Sequence, residues 1–462
     1  MSDLAQTLAQ FGQEHLLQFA SQLTPAELTS LESQIEAIDF EQLAALTSGK
    51  DKTIDWAELA RRADPPRAVR LNRPAEESPS EAAIKAGTEA IKAGKVGVIL
   101  VAGGQGTRLG FDQPKGMFKI GPVSNRTLFE MHCDRLRGVM DRMDVEIPMY
   151  VMTSPATDTQ TRAYFDANDN CGLPNELLHI FCQGTMPAVD DSAGKILLAD
   201  VNQIATSPDG HGGLVAALHK QGCFDDAQSR GVEYFFYAQV DNPLAQLCDP
   251  ELIGHHILAK SQMTTQVVSK RFPMEKVGNV VTIDGKTNII EYSDLPEDAA
   301  NQTQPDGSLK FWAGNIAIHV FDRTFLESVV DDAAGLPFHR AHKAVTFVGP
   351  DGKTCKPEKP NAIKFERFVF DLLPLAENAI VVEGDPSRVF APVKNADGAA
   401  VDTPAKCKEA ILALHHGWLE AAGAKIAPGV SVEIHPLWAS CANEVAEKVD
   451  SGQEFPTDTF LS

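Results

Sequence analysis

The 462-residue chain has no Cys-x-x-C pair: its eight cysteines (Cys133, Cys171, Cys182, Cys223, Cys248, Cys355, Cys407 and Cys441) are scattered. Neither structural zinc nor a disulfide framework is supported, and the cysteines read as buried, reduced thiols. There is no run approaching the ~20 apolar residues that a membrane-crossing helix needs. The first residues, MSDLAQTLAQFGQEH, hold no basic stretch and no apolar core, so no secretory signal is predicted and the expected location is the cytoplasm. Positive charge is in short supply. Lys+Arg number 41 against 63 Asp+Glu, a formal net charge of −22. Such a field repels phosphate backbones and anionic surfaces, which excludes a general binder of nucleic-acid polymers or membranes. There is no internal repeat and no low-complexity tract.

What is present is ordinary for a globular chain: 43% hydrophobic and 23% charged residues argue against disorder. At ~150 residues per domain the length suggests roughly three folding units. Any phosphorylated ligand must then be held by a local arrangement of amides, cations or metal.

Residues 1 to about 60 read as helical. Thr24-Pro25-Ala26-Glu27 combines an N-cap threonine, a proline at the first helical position and a glutamate three residues after the cap. Leu28, Leu31, Ile35 and Ile38 follow at helical spacing. Residues 63–80, rich in proline and charge, read as a connector. From residue 96, VGVILVA is a short apolar run of the kind found in strands buried on both faces. A glycine-rich turn follows, and then Thr127-Leu128-Phe129-Glu130 supplies a capping box for a helix to about Met140. Residues 147–153 read as a strand, with Thr157 and Gln160 as a cap for the next helix. YFFYAQV at 234–240 is another buried strand, ending in the turn Asp241-Asn242-Pro243. Strand–helix alternation predicts an α/β protein with a mainly parallel sheet and helices on both faces. Residues 265–321 are strand-rich, and 404–422 read as a helix before a turn-rich tail.

The glycine-rich turn is Gly103-Gly104-Gln105-Gly106-Thr107-Arg108-Leu109-Gly110, continuing to Pro114-Lys115-Gly116. A buried strand running into glycines leaves backbone amides at its carboxyl end, where open α/β sheets bind ligands. Arg108 and Lys115 add two cations. The dinucleotide pattern G-x-G-x-x-G fails, because Leu109 stands where the third glycine belongs. The P-loop pattern fails because Lys115 precedes Gly116 with no Ser or Thr after it. A nicotinamide oxidoreductase and a P-loop ATPase are both disfavoured.

The loop G-G-x-G-T-R-L-G followed by P-K-G resembles the signature of the UDP-sugar pyrophosphorylases, uridylyltransferases that join UTP to a sugar 1-phosphate. Within them it is most similar to the eukaryotic-type UDP-N-acetylhexosamine pyrophosphorylases. FCQG at 181–184, PDGHGGL at 208–214, Val240-Asp241-Asn242, Val277-Gly278, IEYS at 290–293, AGNIA at 313–317, KFERFVFD at 364–371 and KNAD at 394–397 look similar in the same order. The likeness spans about residues 95–420. It implies a nucleotide-diphospho-sugar-transferase (Rossmann-like) fold: a helical N-terminal segment (1–85), a catalytic core with a mixed, mainly parallel sheet (86–390) and a small C-terminal domain (391–462).

Nucleotidyl transfer is an in-line displacement in which positioning and charge neutralisation carry the catalysis. Arg108 and Lys115 are expected on the triphosphate, with Lys394 reaching the phosphates from far along the chain. Standing alone, each lysine is an ordinary surface charge. Asp241, where its strand ends, suits Mg²⁺, which takes one or two carboxylates plus phosphate oxygens; in isolation it is a turn aspartate. The resemblance implies that Gln183 reads the uracil edge with backbone from Gly103, Gly104 and Gly210. It also implies that Gly278, Glu291, Tyr292 and Asn315 line the sugar pocket, with Phe368 and Phe370 beside the acyl group of an N-acetyl sugar. By default, those two phenylalanines are core packing on one face of a strand-like segment.

One position departs from the pattern. His211 stands between glycines where N-acetylhexosamine-specific members usually carry asparagine, and it resembles the G-H-G of UDP-glucose pyrophosphorylases. His211 is assigned to the sugar. The substrates expected are UTP and a sugar 1-phosphate, first N-acetylglucosamine 1-phosphate and alternatively glucose 1-phosphate. A non-catalytic UDP-sugar-binding protein is the rival from another class. The chain also looks shortened beyond about Ala424, which leaves a C-terminal assembly role and the oligomeric state open.

Overall fold

A computed structural model describes residues 2–47, 55–72, 80–330 and 336–462. Residues 73–79 of the expected connector lie outside them. The chain packs as two compact units, one of Met1–Asp55, Gln183–Leu214 and Asp332–Asp371, the other of Trp56–Cys182, Val215–Asp331 and Leu372–Ser462.

The second unit is built on a ten-stranded sheet. Its strands are β1 (Ala68–Val69), β2 (Val96–Val101), β3 (Met149–Thr153), β4 (Leu178–Cys182), β5 (Tyr234–Gln239), β6 (Met263–Ser269), β7 (Gly278–Ile283), β8 (Lys286–Ile290), β9 (Ala313–Asp322) and β10 (Ala379–Glu383). They lie in the order β1-β10-β6-β9-β5-β2-β3-β4, with β7 beside β9 and β8 beside β7. Pairing is parallel except at β9, which runs against β5, β6 and β7, and at the β7–β8 hairpin. The expected mainly parallel α/β sheet is thus observed. β2 is buried along nearly its whole length and β3 throughout. Both faces of these strands are covered, which explains why their sequences run apolar without alternation.

Helices α1 (Ser80–Lys92), α2 (Leu128–Met143), α3 (Asp158–Ala167), α4 (Pro250–Leu258) and α5 (Pro404–Ala421) belong to this unit. α2 starts at the expected capping box: Thr127 accepts from Glu130 N–H while the Glu130 carboxylate returns to the Thr127 N–H. The cap expected for α3 does not form. The Thr157 hydroxyl accepts from the Ser154 N–H instead, a local turn that outcompetes the cap. α1 and α4 meet backbone to backbone at two glycines, since a Cβ on Gly254 would stand 1.7 Å from the Ala83 carbonyl oxygen. At the C-terminal end Leu419, Val432, Ile434, Val445 and Phe455 form a small core of their own. Buried Glu433 accepts from the N–H groups of Val123 and Ser124 at 2.8 and 2.7 Å.

In the first unit the N-terminal helices Ser2–Gln10, Pro25–Glu36 and Phe40–Thr47 supply Leu8, Leu31, Ile35 and Phe40 to one core. They share it with Val189, Ile196, Ile204, Ile363 and Phe365 from two later stretches. Glutamines tie these stretches to the helices: Gln13 accepts from Ile196 N–H at 3.0 Å and Gln34 from Ile204 N–H at 3.0 Å. The capping box at Thr24 is formed.

Candidate active site

In the second unit β2 and β5 are parallel neighbours, Val101 opposite Gln239. The sheet continues through β3 and β4 on one side and through β9 on the other. This reversal of strand order makes a topological switch point at the carboxyl ends of β2 and β5, the place where doubly wound sheets take ligands. The glycine loop leaves β2 there, and Asp241 follows β5.

The loop folds back on itself. Gln105 bridges to Pro114, and the Lys115 N–H donates to the Gly104 carbonyl at 3.0 Å. Gly103 is pinned by the Ser154 hydroxyl, which donates to its carbonyl at 2.7 Å. Gly104 is exposed, and a Cβ there would meet nothing within 4 Å, so its backbone faces open space. The Lys115 Nζ lies 3.1 Å from Asp241 Oδ2, with both side chains largely buried. Burial pushes the Asp241 carboxyl up, but Lys115 and Lys394 beside it outweigh this and hold it below the usual carboxylate range. The site therefore keeps its carboxylate ionised among two cations.

Lys394 reaches this place through two brackets. The Val393 N–H donates to the Asp241 carbonyl at 2.8 Å. The Asn242 side chain donates to the Val389 carbonyl at 2.7 Å and accepts from the Ala391 N–H at 3.0 Å. From the other side His132, buried on α2, lies 3.0 Å from the Val240 carbonyl. Burial brings its pKa down to about 4, so the ring is neutral and donates from Nε2. The sequence named Asn242 only as part of the segment around Asp241, and it did not point to His132. Asn242 carried a visible signal, its place beside Asp241, whereas the His132 contact joins residues 108 positions apart.

Further along the same sheet, Gly278 pairs with Asn315. A Cβ on Gly278 would stand 3.0 Å from Glu291 Oε1, so these three expected sugar residues are neighbours. Asn315 Oδ1 accepts from the Ala317 N–H at 3.0 Å, which stabilises the left-handed Ala317 (φ 55°) and turns the Asn315 amide donors outward from that bond. Tyr292 is 39% exposed and Arg108 is exposed.

The first unit gathers the remaining candidates. Gln183 is buried at its start. Gly210 has φ +84°, and a Cβ there would collide with the Arg367 carbonyl oxygen at 2.3 Å. The glycines after Asp209 thus let the Arg367 backbone approach, and Arg367 pairs with buried Asp209 at 3.2 Å. The His211 Nδ1 accepts from the Val369 N–H at 3.0 Å. Its ring stacks on Phe368 (centroids 5.2 Å, 29° between planes) and tilts against Phe370 at 5.7 Å. Burial lowers the His211 pKa to about 4, with His339 adding to the effect, so the ring is neutral and carries its proton on Nε2. His339 lies 4.3 Å from the Phe368 ring and pairs with Asp371 at 2.9 Å. The strand ends at Glu366, so Phe368 and Phe370 do not alternate on a strand as expected. They sit at a 3-10 turn (Val369–Leu375), ring centroids 4.9 Å apart.

A sequence profile of the family described as UTP–glucose-1-phosphate uridylyltransferase matches residues 39–423. The chain belongs to this family. Its members are uridylyltransferases, so the chain is a nucleotidyltransferase, and the resemblance read from the glycine loop is borne out. A mouse (Mus musculus) UDP-N-acetylhexosamine pyrophosphorylase-like protein 1 is 36% identical over 438 residues, 92% of this chain and 86% of that protein. A UDP-N-acetylglucosamine pyrophosphorylase of Saccharomyces cerevisiae is 36% identical over 441 residues, 93% of this chain and 90% of the relative. The crystal structure of the uridine diphosphate N-acetylglucosamine pyrophosphorylase from Trypanosoma brucei, in complex with an inhibitor, superposes with a TM-score of 0.81 at 27% identity, covering 96% of this chain and 93% of that one. Among the described residues no helix is long and apolar enough to cross a membrane.

Proposed function

We propose that the chain joins UTP to N-acetylglucosamine 1-phosphate, giving UDP-N-acetylglucosamine and pyrophosphate, in the cytoplasm. The observation that carries this reading is the partly buried cluster of Lys115, Asp241 and Lys394 at the carboxyl ends of β2 and β5. A phosphate oxygen of the sugar 1-phosphate attacks the α-phosphorus of UTP. The bond from that phosphorus to the bridging oxygen breaks, and pyrophosphate leaves with the electron pair. Lys115, Arg108 and Lys394 are assigned to the phosphates, where fixed cations neutralise charge that grows in the transition state. Gly103, Gly104, Gln183 and Gly210 are assigned to the nucleotide. Gly278, Glu291, Tyr292, Asn315, His211, Phe368 and Phe370 are assigned to the sugar. The division into residues 1–85, 86–390 and 391–462 is kept as a functional one.

Mg²⁺ is assigned to Asp241. Among the described residues there is no group of three or more acidic, histidine or cysteine side chains that could enclose a metal. One ionised carboxylate fits Mg²⁺, which keeps waters and takes its other ligands from substrate phosphates. When bound, the ion would neutralise phosphate charge. The ammonium of Lys115 holds the Asp241 carboxylate in place beforehand.

A second reading, glucose 1-phosphate as the acceptor, is favoured by His211 and by the family's own description. The relatives at 36% identity favour the N-acetylated sugar. Pyrophosphate release by the purified protein, with UTP, Mg²⁺ and each sugar phosphate, tests the activity. Turnover is expected with the full set and its loss on chelation. Absence of turnover from folded protein with any sugar 1-phosphate would leave the non-catalytic UDP-sugar-binding protein as the better reading.

A further inference from the structure

Lys270 lies just past β6 and is 8% exposed, a placement that costs an ammonium its hydration. Its Nζ donates to the Pro273 carbonyl at 2.9 Å and to Asn279 Oδ1 at 2.5 Å. Asn279, 1% exposed, passes the contact on by donating from Nδ2 to the Ile290 carbonyl at 3.1 Å. The Lys270 stem also packs against β9, where its Cγ would lie 3.3 Å from a Cβ on Gly314.

Apart from the bond to Pro273, each of these contacts touches the chain neighbour of a residue assigned to the sugar. Asn279 follows Gly278, Ile290 precedes Glu291 and Gly314 precedes Asn315. Adjacent residues in strands point to opposite faces. Lys270 thus holds the Asn279 side chain and packs against Gly314, while Asn279 holds the Ile290 carbonyl, so the chain neighbours of the Gly278–Glu291–Asn315 cluster are tied together. We propose that Lys270 is a positioning residue for the sugar 1-phosphate, its buried ammonium fixing Gly278, Glu291 and Asn315 against one another through Asn279. The inference rests on the assignment of those three residues to the sugar.

Burial pushes the Lys270 amine down to about 8, with Glu275 opposing the shift, so at neutral pH the group remains largely charged and able to donate. Arg271 is held by the same Glu275 through its own N–H and its guanidinium, each at 2.7 Å. Glu275 thus closes the 271–275 turn through Arg271, Lys270 adds a bond to the Pro273 carbonyl within it, and Asn279 is the link from Lys270 toward the sugar residues.

The test compares Lys270→Met, which keeps length and apolar contact but removes the donor, with Lys270→Arg, which keeps the charge. Asn279→Asp still accepts from Lys270 but cannot donate to Ile290. Losing a charge-assisted hydrogen bond from a buried network should raise KM for N-acetylglucosamine 1-phosphate about tenfold in Lys270→Met, with KM for UTP within about twofold of wild type. Lys270→Arg should recover part of the loss, and Asn279→Asp should repeat it. Binding measured by calorimetry should show UDP-N-acetylglucosamine weakened and UDP unaffected, a readout that does not need turnover. A folded Lys270→Met with wild-type KM for the sugar phosphate, or with both KM values raised alike, overturns the proposal. Should Lys270→Met fail to fold, an unchanged sugar KM in Asn279→Asp overturns it. Wild-type protein that turns over no sugar 1-phosphate instead overturns the assigned reaction.

Discussion

Lys115 and Asp241 illustrate how little charge the chain needs in order to handle phosphate. The net charge is −22, yet the ends of β2 and β5 bring Lys115 and Lys394 to Asp241, with Asp402 beside Lys394 as a second carboxylate. Replacing Lys115 with alanine removes a phosphate cation and leaves Lys394 as the lysine beside Asp241. Turnover is expected to fall by about a hundredfold or more, with the fold retained; kcat and circular dichroism together check this. Much of this residue-level picture was legible. Lys115 and Asp241 were visible because a glycine loop and a strand end are local features of sequence. The His211 role was only half legible. Its departure from asparagine could be read, but not that Nδ1 takes the Val369 N–H and that the ring stacks on Phe368. Those partners lie 158 and 157 positions away, and no local pattern encodes them. Lys270 was passed over for the same reason: in sequence it is one lysine among 41 basic residues.

Among the elements, the ones whose stability is set locally were the ones legible beforehand. The capping boxes at Thr24 and Thr127 and the strands β2, β3 and β5 formed where expected. The α3 cap failed because Ser154 offered Thr157 a nearer partner. The common core of the N-terminal helices with residues 189–204 and 363–365 is non-local, and hydrophobic spacing says only that a face is buried, not against what. The α1–α4 crossing is another such case. Alanine at Gly254 would drive its Cβ into the Ala83 carbonyl, 1.7 Å away, forcing the helices apart. Overpacking of this kind is expected to cost about 3 kcal/mol; a wild-type urea midpoint in Gly254→Ala would contradict the close contact. Thr127→Ala should cost about 1 kcal/mol through loss of the cap, read in the same way.

At the scale of the whole molecule, three neutral histidines contribute to the response to acid. Burial holds His132 and His211 near about 4 and His415 near about 3, against an ordinary value of 6.5. Each neutral ring makes a bond to backbone: His132 to Val240, His211 from Val369 and His415 from the Ile434 N–H at 3.1 Å. Between pH 6.5 and the lowered values the unfolded chain binds more protons than the folded one. Stability is therefore full above pH 6.5 and falls as pH drops through that window, by about 1.4 kcal/mol per pH unit for each histidine. His415→Asn can still accept the Ile434 N–H but has no proton to take up. It should lose about 1 kcal/mol less than wild type between about pH 7 and pH 5.5 in urea unfolding. Equal losses would contradict the neutral state of His415.

The assigned reaction is tested most directly by one ratio: kcat/KM for N-acetylglucosamine 1-phosphate over kcat/KM for glucose 1-phosphate, measured with UTP and Mg²⁺ on the purified protein. The proposed reaction predicts a ratio well above one. A ratio at or below one contradicts it.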